Sequence, residues 1–127
     1  MKLERMTFNM FGVNTYILWD ETSAECAIID PGMMSHFEED RLSQFIESKG
    51  LKPTLLINTH MHVDHVAGDM YVAEKYGLPV IGCEDDAFLG ERISQQVKMF
   101  GLPVNVDDIK IAQMVKHGDV LRLGDEE

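Results

Sequence analysis

Three histidines and one aspartate follow directly on a short apolar segment, residues 54–58. That segment has the length of a buried strand, so the cluster comes at the carboxyl end of a strand. In extended chain, residues two apart point to the same side, which lets His60 and His62 converge on one metal ion. Asp64 and His65 follow where the backbone must turn, and we expect them to face a second point close by. Because imidazole and carboxylate suit Zn²⁺, and also iron or manganese, the sequence predicts a metal site.

The segments before the cluster show strand patterns and then a helix pattern. Residues 5–19 alternate and predict two short strands or one bent strand, and residues 26–29 predict a strand that pairs with them as a hairpin. Ser35 and Glu38 have the capping-box spacing, in which each side chain bonds the backbone near the other, and the helix they begin should end at Gly50. Strand, helix and strand in this order favour a right-handed crossover and parallel pairing.

The remaining elements continue the alternation of strand and helix. One face of the first helix is predicted to carry Phe37, Leu42, Phe45 and Ile46. After the cluster, the pattern predicts a helix over 67–76, a strand over 78–82, a helix over 84–100 and a strand over 120–123. This order of elements predicts an α/β fold.

Composition limits the class of protein and its partners. The chain has 127 residues, which favours one domain, and 11 Lys plus Arg against 22 Asp plus Glu give a formal net charge of −11. Such acidity argues against nucleic acid, and no basic amphipathic segment favours a membrane surface. Cys26 and Cys83, far apart in apolar runs, predict free thiols. Since neither a signal peptide nor a transmembrane-length apolar run is visible, we expect a cytoplasmic protein.

The segment from His60 to His65 resembles the H-x-H-x-D-H signature of the metallo-β-lactamase superfamily. Thr59 before it and Ala67-Gly68 after it resemble the hydroxyacylglutathione hydrolase, or glyoxalase II, branch of that superfamily. Further segments that resemble the single-domain members of this branch in order and spacing are 14–16, 28–32, 96–102 and 117–119. The resemblance implies the first half of an αββα sandwich, in which helices pack on one face of a mixed sheet.

The resemblance also assigns roles to the cluster. By it, His60 and His62 bind a first metal ion, and Asp64 and His65 bind a second, with two Zn²⁺ in the complete site and iron or manganese as alternatives. A metal-bound hydroxide would attack a thioester or other acyl carbonyl, and Asp64 would take a catalytic part by accepting a hydrogen bond from that nucleophile. Asp30 is expected beside the site, where it would position a metal ligand without binding the metal itself. The alternative for Asp30 is an ordinary Asp-Pro-Gly turn.

The family completes its site with a further His, a bridging Asp and a final His, and no such motif follows residue 65. We therefore expect residues 1–127 to be a domain truncated before its C-terminal half. Two protein ligands per ion fall short of the usual three or four, so metal should bind weakly or not at all, and the chain alone should be inactive or nearly so. We also predict self-association through the uncovered apolar sheet face, which a monodisperse monomer in light scattering at tens of micromolar would contradict.

Several other functions stay open at the level of sequence. Within the superfamily these are a lactonase, a β-lactamase and an iron persulfide dioxygenase that uses His60 and His62 on a single iron. An RNA-processing enzyme is disfavoured by the net charge of −11. From a different class, the chain could serve as a non-catalytic metal-binding or interaction module. The metal content of the protein would separate the dioxygenase from the hydrolases, and the sequence downstream in the gene would separate an enzyme from a module.

Overall fold

Six strands form one mixed sheet in the sequential order β1-β2-β3-β4-β5-β6. A computed structural model describes residues 1–83, 87–100, 109, 111–116 and 119–124, without the side chains of 87, 88 and 100. The strands are β1 Lys2–Phe8, β2 Val13–Trp19, β3 Glu25–Ile29, β4 Lys52–Asn58, β5 Val80–Cys83 and β6 Gln113–Val115. The pairs from β1 to β3 are antiparallel, and those from β3 to β6 are parallel. The predicted α/β fold, the hairpin and the parallel crossover are confirmed.

The helices assigned within the described residues are α1 His36–Ser48, α2 Val63–Val66, α3 Asp69–Tyr76, α4 Ala87–Gly90 and α5 Ile93–Phe100. The predicted start of α1 is confirmed, because the hydroxyl of Ser35 accepts a hydrogen bond of 3.2 Å from the backbone N–H of Glu38. The predicted stop is also confirmed, since Gly50 has a left-handed φ of 64° just after the helix. None of these helices is both long enough and apolar enough to cross a bilayer.

Two details of the prediction for α1 are wrong. The carboxylate of Glu38 does not bond the backbone of Ser35; it accepts from the N–H groups of Met34 at 2.9 Å and Asn9 at 2.7 Å. Phe37 is 74% exposed, whereas Leu42 is fully buried. At 100° per residue, five residues place Phe37 about 140° around the helix from Leu42, away from the sheet. The carboxylate of Glu38 thus ties the helix start to the β1–β2 turn.

The elements after the cluster begin and end at other residues than predicted. The helix predicted over 67–76 starts at Asp69, and the short α2 precedes it. The helix predicted over 84–100 is divided into α4 and α5, because the carbonyl of Gly90 accepts a hydrogen bond of 2.6 Å from the N–H of Ile109. The strand predicted over 120–123 is wrong: only an isolated bridge at Leu123 occurs there. The sheet is extended instead by β6, which pairs with β5. Residues 84–86 and the 117–118 segment lie outside the described residues.

The two faces of the sheet differ in their cover. On the covered face, fully buried strand residues pack against α1 and α3; they are Ile17, Ile28 and Leu56, with Leu42, Ile46 and Val72 from the helices. On the other face, the strand register places Tyr16 beside Ile29, and Ile29 beside Ile57, all three half-buried. This second face is therefore apolar and accessible, as predicted from the sequence. The self-association expected through it stays a prediction.

Both cysteines are free, as predicted. Cys26 is buried, and burial raises the pKa of its thiol to about 12. Because the thiolate is the reactive form, Cys26 is an inert core residue at neutral pH. Cys83 is half-buried at the end of β5.

Candidate metal centre

The predicted site lies at the carboxyl ends of the parallel neighbours β3 and β4. Asp30 follows β3 directly, and Thr59 follows β4. The backbone N–H of Thr59 donates to Oδ1 of Asp30 at 2.7 Å, and the Thr59 hydroxyl donates to Oδ2 of the same carboxylate. Open α/β sheets form their sites at this edge, where successive strand ends bring side chains together from distant parts of the sequence.

A buried methionine orients the first two histidines. Met61 is buried, while His60 and His62 on either side of it are exposed, which is the alternation expected of extended chain. The side chain of Met61 fills space that Gly90 leaves open, because a Cβ on Gly90 would lie 2.6 Å from the methyl carbon of Met61. The rings of His60 and His62 are nearly parallel, with centroids 6.2 Å apart.

The chain then turns into α2, which carries the other two residues of the cluster. The N–H of His65 donates to the carbonyl of His62 at 2.9 Å, which closes the first turn. The ring of His65 comes to lie 5.0 Å from that of His60 between centroids. Its Nε2 is 3.8 Å from Oδ2 of Asp64. Asp64 and His65 are both half-buried.

Among the described residues, the group of three potential ligands that lie close together differs from the pairs that the sequence predicted. Asp30, His60 and His65 each place one such atom within 4.8 Å of the others. His62 and Asp64 are outside this group, although both belong to the same turn of chain. The division into one pair at His60 and His62 and another at Asp64 and His65 therefore stays a prediction.

The hydrogen bonds of Asp30 determine which ring nitrogens are available. Oδ2 of Asp30 lies 3.1 Å from Nδ1 of His65, and a carboxylate can only accept, so the proton of His65 lies on Nδ1. The Thr59 hydroxyl donates to Asp30 and lies 3.0 Å from Nδ1 of His60, so it must accept from that nitrogen. In the neutral form of each imidazole, these contacts place the proton on Nδ1 and leave Nε2 without one, which is the form that binds a metal ion. The residues present therefore fit a metal site.

A close approach between two loops holds Asp30 near α2. A Cβ on Gly32 would overlap Cγ1 of Val13 and would lie 2.9 Å from the carbonyl oxygen of Asp64, so only glycine fits there. The N–H of Gly68 donates to the carbonyl of Pro31 at 2.7 Å. The Asp-Pro-Gly segment is thus more than a turn, because it contacts the segment that carries the predicted ligands.

Three further side chains hold the backbone of the cluster, and sequence reasoning assigned no role to any of them. Nδ2 of Asn9 donates to the carbonyl of Asp64 at 2.9 Å, and Nδ2 of Asn58 donates to that of His65 at 3.2 Å. Oε1 of Gln96 accepts from the N–H of a neighbouring residue, Val63, at 2.8 Å. The one signal in the sequence was that Gln96 begins a segment that resembles the glyoxalase II branch.

An open cleft of about 410 Å³ lies beside the histidines. Its lining includes His60, Asp64 and His65 together with the aromatic side chains of Phe11 and Tyr16. Phe11 and Asp64 also line a smaller cavity of about 180 Å³. The larger cleft falls within the size range of small-molecule sites.

The mixed sheet, the position at the strand ends and the neighbouring imidazoles define an α/β protein with a candidate metal site. The family model of the metallo-beta-lactamase superfamily matches residues 9–125, so the chain belongs to this superfamily. The resemblance drawn from the sequence is therefore confirmed.

Relatives of the chain point to the glyoxalase II branch. The chain is 38% identical over 108 residues to the hydroxyacylglutathione hydrolase GloC of Haemophilus influenzae, a match that covers 84% of this chain and 48% of GloC. Among solved structures, the di-iron-bound form of TTHA1623 has a TM-score of 0.77 at 26% identity, covering 93% of this chain and 56% of that one. The B3 metallo-β-lactamase BLEG-1 has a TM-score of 0.80 at 18% identity, covering 98% and 57%. The chain thus spans about half the length of the proteins it matches.

Proposed function

We propose that this chain supplies metal ligands to a metal-dependent hydrolase that cleaves thioesters or related acyl compounds. The observation that carries the proposal is the set of hydrogen bonds by which Asp30 and Thr59 leave Nε2 of His60 and His65 free for a metal ion. The similarity to hydroxyacylglutathione hydrolase GloC supports a thioester substrate. A hydroxyacyl thioester of glutathione is the substrate class we propose to test first.

We infer that His60, His62, Asp64 and His65 bind the metal and that Asp30 positions them. Asp30 accepts two hydrogen bonds at Oδ2 and one at Oδ1, so most of its lone pairs are already used. When bound, such metal ions lower the pKa of a water molecule and stabilise negative charge on the carbonyl oxygen. Zinc, iron and manganese all suit this donor set, and the di-iron form of TTHA1623 makes iron as eligible as zinc.

Asp64 is the residue that we propose acts on the nucleophile. Its side chain is half-buried and lines the cleft beside His60, so a molecule bound in the cleft would be able to contact it. The side-chain amide of Asn9 donates to the backbone carbonyl of Asp64 and so fixes the position of this residue. The Asp64 carboxylate is thereby positioned to accept a hydrogen bond from the nucleophile. Four proposed ligands give two for each of two ions, fewer than the three protein ligands of a catalytic zinc site. We therefore propose that ligands outside the described residues complete a site for two ions.

The test is thioester hydrolysis by the product of the complete gene, whether or not it extends beyond residue 127. We expect metal-dependent hydrolysis of the glutathione thioester that EDTA abolishes, and zinc or iron in the purified protein. His60→Ala should lower the rate of hydrolysis by at least about 100-fold. Loss of a metal ligand should lower activity more than loss of a residue that hydrogen-bonds to a ligand, which typically costs about 10–100-fold. His36→Ala is the matched control, because His36 is exposed and contacts only Glu39 among the described residues. Hydrolysis that persists in EDTA, or its absence from metal-loaded protein, would contradict the proposal.

A further inference from the structure

A buried glutamine on α5 bonds the backbone on both sides of His62. Gln96 is buried, and its Oε1 accepts from the N–H of Val63 at 2.8 Å. Its Nε2 donates to the carbonyl of Leu89 at 3.0 Å and, in a longer contact of 3.4 Å, to the carbonyl of Met61. Met61 and Val63 are the two neighbours of His62 in the sequence. The amide of Gln96 therefore fixes the backbone on both sides of this histidine.

The bond to Val63 also gives a partner to a backbone N–H at the start of α2. The first N–H groups of a helix have no partner within the helix, and a side chain at the N-cap position commonly supplies one. His62 occupies the N-cap position, and its imidazole makes no capping hydrogen bond. Gln96, 33 positions away, bonds the first of these N–H groups instead. The imidazole of His62 is thereby left exposed and free for another partner.

We propose that Gln96 is a positioning residue for His62: by capping α2 in its place, it directs the His62 imidazole toward the metal. The part that concerns metal rests on the proposed function, whereas the hydrogen bonds to the backbone do not. An uncharged amide suits this position because it offers an acceptor to one N–H and donors to two carbonyls. Methionine, of similar length and without these groups, would leave the N–H of Val63 buried without a partner.

Gln96→Met in metal-free protein is the decisive variant. The wild-type chain should show a protected Val63 amide and a single χ1 rotamer of His62, measured by amide exchange and three-bond couplings in NMR. In the variant, the Val63 amide should exchange at least about 10-fold faster, and the His62 rotamers should average, while the Ile28 amide in the sheet keeps its protection. Ser43→Ala is the matched control: it also removes a buried hydrogen bond, to Tyr71, at a place without contact with His62.

A titration with Co²⁺ separates the inference from the proposed function. Gln96→Met should weaken Co²⁺ binding by about 10-fold or more, which is the usual effect of losing a residue that orients a metal ligand. Ser43→Ala should leave the affinity for Co²⁺ unchanged. An unchanged Val63 amide in Gln96→Met would overturn the inference. So would faster exchange with an unchanged His62 rotamer and Co²⁺ affinity, because Gln96 would then stabilise the fold alone. The titration uses the product of the complete gene; if its wild-type form binds no Co²⁺, the proposed metal function fails, and the rotamer of His62 decides the inference by itself.

Discussion

Asp30→Asn is expected to weaken metal binding by about 10–100-fold while the fold is retained. The variant keeps the size of the side chain, and its Oδ1 can still accept from the N–H of Thr59. Its NH₂ group, however, replaces the oxygen that accepts from the Thr59 hydroxyl and from Nδ1 of His65. Because an NH₂ group cannot accept, His65 loses the partner that keeps its proton on Nδ1. The proton is then free to move to Nε2, the nitrogen that faces Asp64.

The measurement is calorimetric titration of Zn²⁺ into the wild type and the variant, both made from the complete gene, with ¹⁵N chemical shifts of the metal-free histidines to read the tautomer. Asp20→Asn is the control, because Asp20 is also a buried aspartate that accepts several hydrogen bonds in a turn, here from Thr22 and Ser23. It lies at the opposite end of β2 from the site. Equal losses in the two variants, or an unchanged tautomer of His65 in Asp30→Asn, would show that Asp30 does not position this histidine.

The fold was predictable where its signals are local. The N-cap at Ser35, the left-handed Gly50 and the strand–helix–strand order depend on short segments, and the structure confirms them. Helix ends that depend on distant contacts were not predictable. At the break between α4 and α5, the carbonyl of Gly90 accepts a backbone hydrogen bond from Ile109. No local sequence pattern predicts this long-range contact. Local signals therefore predicted the order of elements, and tertiary contacts decided where the later ones end.

The same division applies to the candidate site. The cluster from His60 to His65 is continuous in sequence, so its residue types alone predicted a metal site. Its supports come from far away: Asn9 is 55 positions from Asp64, and Asp30 is 35 positions from His65. A single asparagine or glutamine in a sequence is an ordinary surface residue until the fold places it against a backbone group. The resemblance to a known family suggested a supporting role for Asp30, whereas the role of Asn9 became visible only in the structure.

A carboxyl group buried near the site, that of Asp69, should make stability depend on pH. Asp69 is the first residue of α3 and is fully buried. Asn58 is close, yet no hydrogen bond of normal geometry joins the two side chains: both oxygens of Asp69 and Oδ1 of Asn58 lack a partner among the described residues. Burial raises the pKa of Asp69 well above its ordinary value; the charge of Asp30 adds to this, and the amide of Asn58 opposes it. A protonated Asp69 can donate to the Oδ1 of Asn58.

The direction of the pH effect follows from this raised pKa. Above the ordinary pKa of about 3.9, the unfolded chain has lost the proton that folded Asp69 still holds. The folded state then binds more protons, so the free energy of unfolding falls as pH rises, until folded Asp69 has also lost its proton. The amide introduced by Asp69→Asn cannot lose a proton and keeps a donor for Asn58. We therefore expect this variant to be more stable at neutral pH by about 1–3 kcal/mol, the usual cost of a buried group without a partner.

Urea unfolding of the metal-free protein from about pH 4 to about pH 9 measures this effect, a range that begins near the ordinary pKa of aspartate. The gain in Asp69→Asn should be smallest at the acid end and should grow with pH. A carboxylate at the start of α3 also interacts favourably with the helix dipole, but that contribution, about 0.3–1 kcal/mol, is smaller than the expected gain. Asp40→Asn, at an exposed position of α1, should leave the slope with pH as in the wild type. A loss of stability in Asp69→Asn at every pH would mean that the buried carboxylate is ionised and paired.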